Sequence, residues 1–171
     1  MRLIRYAVLA AVTFFLVLTA LSLLIPSDVR VGRVINVAAS PRQVYAAVSD
    51  FRAWQGWNDF VSKTPLTNVR YSSPSGGRGA FLRSDQLRID EKEADSNGIL
   101  LNWDLTGGKK FAGGFQFLSV NPDSLTVQWW FDLHFRWYPW EKLGVFVYDR
   151  KLGPAMEESL KGLKRFVENS R

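Results

Sequence analysis

The sequence of 171 residues contains no cysteine and a single histidine, His134. Without cysteine the chain forms no disulfide and no thiolate metal site. A transition-metal site needs several imidazole, thiolate or carboxylate ligands that converge, and one histidine argues against such a site. The sequence therefore predicts neither a metal nor another cofactor.

Basic residues are in excess, but they are not concentrated. The formal net charge is +6, yet no run of Lys and Arg exceeds two residues. A single-strand nucleic-acid surface would interleave exposed aromatic side chains with Lys and Arg. The most aromatic stretch, "VQWWFDLHFRWYPW" (127–140), holds one arginine. We therefore expect no nucleic-acid partner.

The N-terminal segment has the length and composition of a membrane span. Tyr6 to Ile25 are twenty residues without a charge, which as a helix would be about 30 Å long, the thickness of the hydrocarbon core. The sequence predicts an anchor over 1–26, a short tether over 27–30 and a folded domain over 31–171. Arg2 and Arg5 precede the span and favour a cytoplasmic N-terminus. We expect a single-pass protein of the cell membrane whose domain lies outside the cytoplasm.

A cleaved signal peptide is the alternative interpretation of this segment. Its apolar core would span about 7–15 residues and end in a small-x-small site. Leu18-Thr19-Ala20 supplies half of that site, and the sequence after it, "LSLLI", is still apolar.

The folded domain begins with a predicted strand and helix. "VRVGRVINV" alternates apolar and polar residues, as a strand does. Ser40 can cap a helix whose first position is Pro41, and Gln43 completes a capping box. In "DFRAWQGWNDF" (50–60), four aromatic residues recur at every third position. This spacing and Gly56 predict that the helix ends near Phe51, followed by a short 3₁₀-like turn that closes the core.

The rest of the chain alternates short strands with tight turns and ends in a long helix. Strand-like segments are separated by the turn clusters "SPSGGRG", "DSNG", "TGGKK" and "NPDS", which is typical of an antiparallel meander. From Trp140 the period is helical, and Gly153-Pro154 should break or kink it. Two apolar stripes, one on each side of that dipeptide, predict the face that the helix buries against the sheet: Trp140, Leu143, Gly144 and Val147, then Leu160, Leu163 and Val167.

Two stretches carry a resemblance to a known family. "VINVAASPRQVYAAVSDFRAWQGWNDF" (34–60) resembles the opening of START-like, helix-grip proteins of the polyketide cyclase/dehydrase type, in the SRPBCC superfamily. "KLGPAMEESLKGLKRFVE" (151–168) resembles their closing helix, and the likeness covers about residues 30–169. It implies an α+β fold in which about seven antiparallel strands wrap the long C-terminal helix and enclose a cavity for a hydrophobic small molecule or lipid.

The predicted cavity wall consists of inward-facing aromatic residues and one arginine. Alternation along the strands places most of them on the concave face, where core packing and ligand contact overlap. Arg83 follows Phe81 in phase, and if that face is inward it would need a carboxylate or an anionic headgroup. The ligand-binding residues that we predict are Trp57, Arg83, Trp103, Phe115, Phe117, Trp129 and Phe131.

No catalytic residues are predicted, and three functions remain open. The leading one is a membrane-anchored binding domain for an apolar or amphiphilic molecule, and the second is a cyclase/dehydrase-like enzyme. The enzyme would need converging polar groups, for which Arg83, Asp104, Asp132 and Tyr148 are weak candidates. His134 falls on the outward face of its strand, and the carboxylates of "DEKEAD" (90–95) favour a solvated strand. A ligand-free interaction module is the third.

Overall fold

The computed structural model describes residues 2–106, 109–121 and 124–169. The elements in chain order are helix α1 (Arg2–Leu23), strand β1 (Asp28–Val37), helix α2 (Pro41–Ser49), a 3₁₀ turn (Ala53–Gly56), helix α3 (Asp59–Ser62), strands β2 (Arg70–Tyr71), β3 (Phe81–Arg83), β4 (Leu87–Asp95), β5 (Gly98–Leu105), β6 (Lys109–Asn121) and β7 (Ser124–His134), and helix α4 (Pro139–Glu168). Strand β1 thus begins inside the segment 27–30 that the sequence assigns to a tether.

The seven strands form one antiparallel sheet in the order β1-β7-β6-β5-β4-β3-β2. Strand β1 joins the end of the meander, with Val31 opposite Phe131 on β7. On β7 every second residue from Leu125 to Leu133 is buried, because successive side chains of a strand point to opposite faces. These side chains share one core with the buried face of α4. The α+β helix-grip fold predicted from the sequence is confirmed.

Local sequence signals set the first helices as expected. The Ser40 side chain accepts from the Gln43 amide, the Gln43 side chain reaches back to Ser40, and Pro41 takes the first turn of α2. The helix ends at Ser49, and Ala53–Gly56 forms the predicted 3₁₀ turn. Phe51 is buried in the core.

Helix α4 continues through Gly153-Pro154 without a break, so of the two predicted outcomes, a break or a kink, the break is wrong. A side chain on Gly153 would overlap the guanidinium of Arg33. That guanidinium crosses from β1 and pairs with Asp149 at 3.1 Å and Glu157 at 2.7 Å. The glycine therefore makes room for an ion pair that joins β1 to α4.

The first apolar stripe predicted on α4 is also wrong. Trp140 and Val147 are exposed rather than buried, and the side chain of Leu143 lies outside the described part of the structure. Val145 and Tyr148 pack against the core instead. The second stripe is confirmed, since Leu160, Leu163 and Val167 are buried.

Helix α1 is long and apolar enough to cross a membrane, with a mean hydropathy of 2.3 over its best 18 residues, a test that a signal sequence also passes. Its C-terminal end packs against the start of α4. The Ser22 hydroxyl lies 3.5 Å from the carbonyl oxygen of Trp137. The Lys142 ammonium donates to the carbonyl of Ile25, just beyond α1. Both side chains are buried, so α1 and the domain meet at a defined contact.

Candidate functional site

An aromatic cluster fills the space between the concave face of the sheet and the helices. Six of the seven predicted ligand residues are buried in it: Trp57, Trp103, Phe115, Phe117, Trp129 and Phe131. The Trp129 ring lies in this cluster, with its centroid 4.9 Å from that of Phe115 and 5.3 Å from that of Phe131. Half-buried Phe60 adds a ring from the short helix α3, 5.5 Å from Trp129. The structure therefore brings the predicted residues together as packed rings.

Gly113 on β6 allows this packing, and its neighbour Gly114 makes room on the outer face of the sheet. A Cβ on Gly113 would overlap the ring of Phe131 on the inner face of the sheet. On Gly114 it would overlap the carbonyl oxygen of Ile99 and lie 3.2 Å from the ring of Trp130. The aromatic residues of β7 thus lie directly against the backbone of β6.

Four tryptophans of the cluster differ in how their indole N–H groups are satisfied. Trp54 donates to the Val48 carbonyl at 2.7 Å, and Trp57 donates to the Ala47 carbonyl at 3.2 Å. Trp103 and Trp129, in contrast, have no acceptor for Nε1 within the described ranges, although both nitrogens are buried. Buried indole N–H groups usually find a partner, since an unmade hydrogen bond costs about 1–3 kcal/mol. Among the residues that the structure describes, these two buried donors are therefore unpaired.

A cleft of about 480 Å³ opens at the sheet end nearest α1, where β1 and β6 begin and β7 ends. Its walls are the apolar side chains of Phe111, Leu133, Phe135, Trp140 and Tyr148, and its rim carries Lys110, His134, Arg136 and Glu141. Phe111 links the cleft to the cluster, with its ring 5.1 Å from Phe131 and 6.4 Å from Trp103. Trp103 and Phe111 also border a cleft of about 430 Å³ on the neighbouring strands.

Arg83 does not face the interior. Leu82 is the buried residue of β3, so alternation turns Arg83 and Phe81 to the other side. The Arg83 guanidinium lies 4.1 Å over the Phe81 ring and pairs with Asp90 at 3.3 Å. The expectation of an inward Arg83 is wrong because Leu82 sets the phase of this short strand.

The other polar candidates are dispersed. Asp104 pairs with Lys110 at 3.3 Å, and Asp132 forms two hydrogen bonds of 2.7 and 2.8 Å with Arg30. His134 is exposed beside Asp28, which agrees with its predicted outward position. Tyr148 reaches the cleft, where its ring packs against that of Phe135. No three His, Asp or Glu side chains of the described residues group as metal ligands.

Glu91 is buried, so for this residue the prediction that the carboxylates of residues 90–95 lie on a solvated strand is wrong. Along β4 it alternates in step with the buried residues Leu87 and Ile89. That alternation in the sequence indicates that the Glu91 side chain points into the core. It is 3% exposed, and its carboxylate makes no hydrogen bond within the described part of the chain. Burial raises the pKa of Glu91, and the nearby Gly77 amide opposes this shift without completing a hydrogen bond.

Comparisons with known proteins agree with this architecture. Residues 28–168 match the family described as polyketide cyclase / dehydrase and lipid transport. A START superfamily protein from Mycobacterium smegmatis is similar in structure, with a TM-score of 0.57, 20% identity, and coverage of 83% of this chain and 99% of that one. No curated protein matches the sequence.

Two further proteins of known structure have a similar fold. Norcoclaurine synthase from Thalictrum flavum, solved with dopamine and hydroxybenzaldehyde, has a TM-score of 0.56 and 13% identity over 84% of this chain and 88% of that one. A protein of the dynemicin biosynthetic locus has a TM-score of 0.56 and 19% identity over 85% of this chain. The chain spans about half of that protein, 49% of its length. At these identities the likeness shows the fold alone.

Proposed function

The chain belongs to the family described as polyketide cyclase / dehydrase and lipid transport, and on that premise we propose that it is a membrane-anchored domain that binds an apolar or amphiphilic small molecule. Helix α1 is the anchor, and Arg2 and Arg5 at its start keep the N-terminus in the cytoplasm. The domain then lies on the outer side of the cell membrane.

The observation that carries this proposal is the pair of buried indole N–H groups of Trp103 and Trp129, for which residues 2–106, 109–121 and 124–169 offer no acceptor. Rings of this kind pack around an apolar body, and an N–H group among them fixes one polar atom of the ligand. The ligand therefore combines a hydrocarbon portion with a carbonyl or hydroxyl oxygen. A fatty acyl ester and a polyketide both fit this description.

The cleft at the α1 end of the sheet is the entrance, because Phe111 belongs to both the cleft and the cluster. The half-buried ring of Phe60 is held by the short helix α3 rather than by a strand. Its displacement makes room among the rings while the sheet stays intact. In this proposal the inward residues Trp57, Trp103, Phe115, Phe117, Trp129 and Phe131 form the wall, and Arg83 takes no part.

A second candidate function, a cyclase/dehydrase-like enzyme, rests on Glu91. A buried carboxyl group with a raised pKa keeps its proton to higher pH than an exposed one does, and it can donate that proton. A pH profile of turnover that disappears in Glu91→Gln, with the fold retained, would favour the enzyme over the binding domain.

Native mass spectrometry of the full chain, released from detergent micelles, tests binding. The protein is incubated with an equimolar mixture of methyl palmitate and hexadecane, which differ in the presence of an acceptor oxygen. We expect an adduct of the ester in preference to the alkane. In Trp103→Phe or Trp129→Phe the ester should bind about two- to tenfold more weakly, because one hydrogen bond contributes about 0.5–1.5 kcal/mol.

The matched control is Trp130→Phe, which removes an indole N–H from the outward phase of the same strand and should leave the adduct unchanged. Failure of both probes to bind the folded protein would refute the binding domain and favour an interaction module. Equal binding by wild type and the two inner variants would show that these N–H groups do not contact the ligand.

A further inference from the structure

Three neighbouring aromatic residues, Trp137, Tyr138 and Trp140, form an exposed surface that we call the aromatic face. The Tyr138 ring lies 4.7 Å from Trp137 and 5.2 Å from Trp140, centroid to centroid. Trp137 is 55% exposed and Trp140 is 63% exposed. Exposed apolar surface of this kind, concentrated in one place, indicates a site that contacts a membrane or another protein.

The position of the aromatic face next to the end of α1 indicates that this contact is with the membrane. Ser22, in the last turn of α1, lies beside the Trp137 carbonyl. Leu23 and Leu24, which end the apolar run, are 67% and 80% exposed. When α1 crosses a bilayer, these leucines lie at its boundary, and the aromatic face lies at the same level. Trp and Tyr are enriched at that boundary, because their rings are apolar while their N–H and O–H groups remain hydrated.

The junction between α1 and α4 keeps the two parts at this level. The buried ammonium of Lys142 donates to the carbonyl of Ile25, which lacks a helical partner at the end of α1. Lys142 and Trp140 belong to the same turn of α4. A rotation of the domain away from the membrane would break the Lys142 contact with Ile25.

We propose that the aromatic face lies in the headgroup region of the bilayer that α1 spans, so that the domain contacts the membrane at a second place. This inference rests on the anchoring role of α1 in the proposed function. It also provides a path for the ligand of the proposed function, because Trp140 belongs to the wall of the cleft as well as to the aromatic face. The cleft then opens at the lipid surface, and an amphiphile enters it from the bilayer without crossing water.

Quenching of tryptophan fluorescence by brominated lipid tests this contact. The full chain is reconstituted into vesicles of phosphatidylcholine brominated at carbons close to the headgroup, and unbrominated vesicles are the reference. We expect wild-type emission to be quenched and the variant Trp137→Phe/Trp140→Phe to lose most of that quenching. The control Trp130→Phe removes a tryptophan of the outer sheet face and should keep the quenching. Flotation of each protein with the vesicles reports the anchor separately.

The outcomes separate the two ideas. A protein that floats with the vesicles but is quenched equally in wild type and the double variant, or in neither, retains its anchor and overturns the aromatic face. That result would also leave the face open to a protein partner. A protein that does not float overturns both. The ester adduct described above is measured in detergent, so it stands or fails independently of this result.

Discussion

The aromatic cluster and the aromatic face contain the same residue types in opposite surroundings. Trp129 and Phe131 are at most 1% exposed, whereas Trp137, six positions after Phe131, is 55% exposed. Up to His134 the chain belongs to β7, whose pairing with two neighbours directs every second side chain into the core. Beyond His134 the Phe135 amide still donates to the Ser27 carbonyl and Phe135 stays buried, but residues 136–138 belong to no strand before α4 begins at Pro139.

The comparison shows that the element, rather than the residue type, decides what an aromatic side chain does here. In β7 the rings contribute stability by excluding water from the core. At the junction of β7 and α4, Phe135 is still buried, whereas the rings of Trp137 and Trp140 are exposed and can contact another surface. Substitutions in the two regions should therefore affect different measurements.

The largest expected effect is the loss of stability in Trp129→Ala. Removal of this fully buried ring leaves a cavity among Phe60, Phe115 and Phe131 and should cost about 3–5 kcal/mol of unfolding free energy. Trp140→Ala, at an exposed site, should change it by less than about 0.5 kcal/mol. Chemical denaturation of the full chain in one detergent measures both. Similar losses in the two variants would contradict the division between cluster and face.

A smaller effect is expected where a methyl group is added to the cluster. Gly113→Ala places a Cβ against the buried ring of Phe131 and should cost about 1–3 kcal/mol of unfolding free energy. Gly32→Ala is the matched control on β1, where the nearest atom to the new Cβ would be 3.4 Å away, an ordinary contact. If both substitutions have the same small effect in denaturation, the rings of β7 are not packed tightly against β6.

Much of this fold follows from periodicity and caps in the sequence. Ser40, Pro41 and Gln43 specify the start of α2 by local hydrogen bonds, and the alternation along β7 identifies its buried face. The 3₁₀ turn follows from the three-residue spacing between Trp54 and Trp57. Each of these signals is contained in a few consecutive residues, so the sequence alone is sufficient.

The errors occur where long-range contacts override the local signal. The helix continues through Gly153-Pro154, where Arg33 reaches across from β1 to pair with Asp149 and Glu157. Trp140 follows an apolar helical period but is exposed, because the start of α4 packs against α1 rather than against the sheet. The orphaned donors of Trp103 and Trp129 depend on where neighbouring carbonyls lie in three dimensions. No spacing rule contains that information.

The smallest expected effect is the pH dependence of stability at Glu91, which tests whether the water-free core extends along β4 as far as this residue. Burial raises the pKa of Glu91 in the folded chain above its ordinary value. Protonation therefore favours the folded state, and this contribution is present in full below the pKa of the unfolded chain. It is lost as the pH rises through the folded pKa. Glu91→Gln keeps the shape of the neutral acid, so its unfolding free energy should lack this loss.

The difference in unfolding free energy between Glu91→Gln and wild type should therefore increase as the pH rises from the unfolded pKa of Glu91 through its raised folded pKa. Denaturation at a series of pH values in one detergent measures it. Glu93→Gln is the matched control, since Glu93 is exposed on the same strand, and its difference from wild type should stay flat. Parallel profiles for Glu91→Gln and wild type would mean that water reaches Glu91. In that case the region protected from water ends before Glu91, and the second candidate function loses its proton donor.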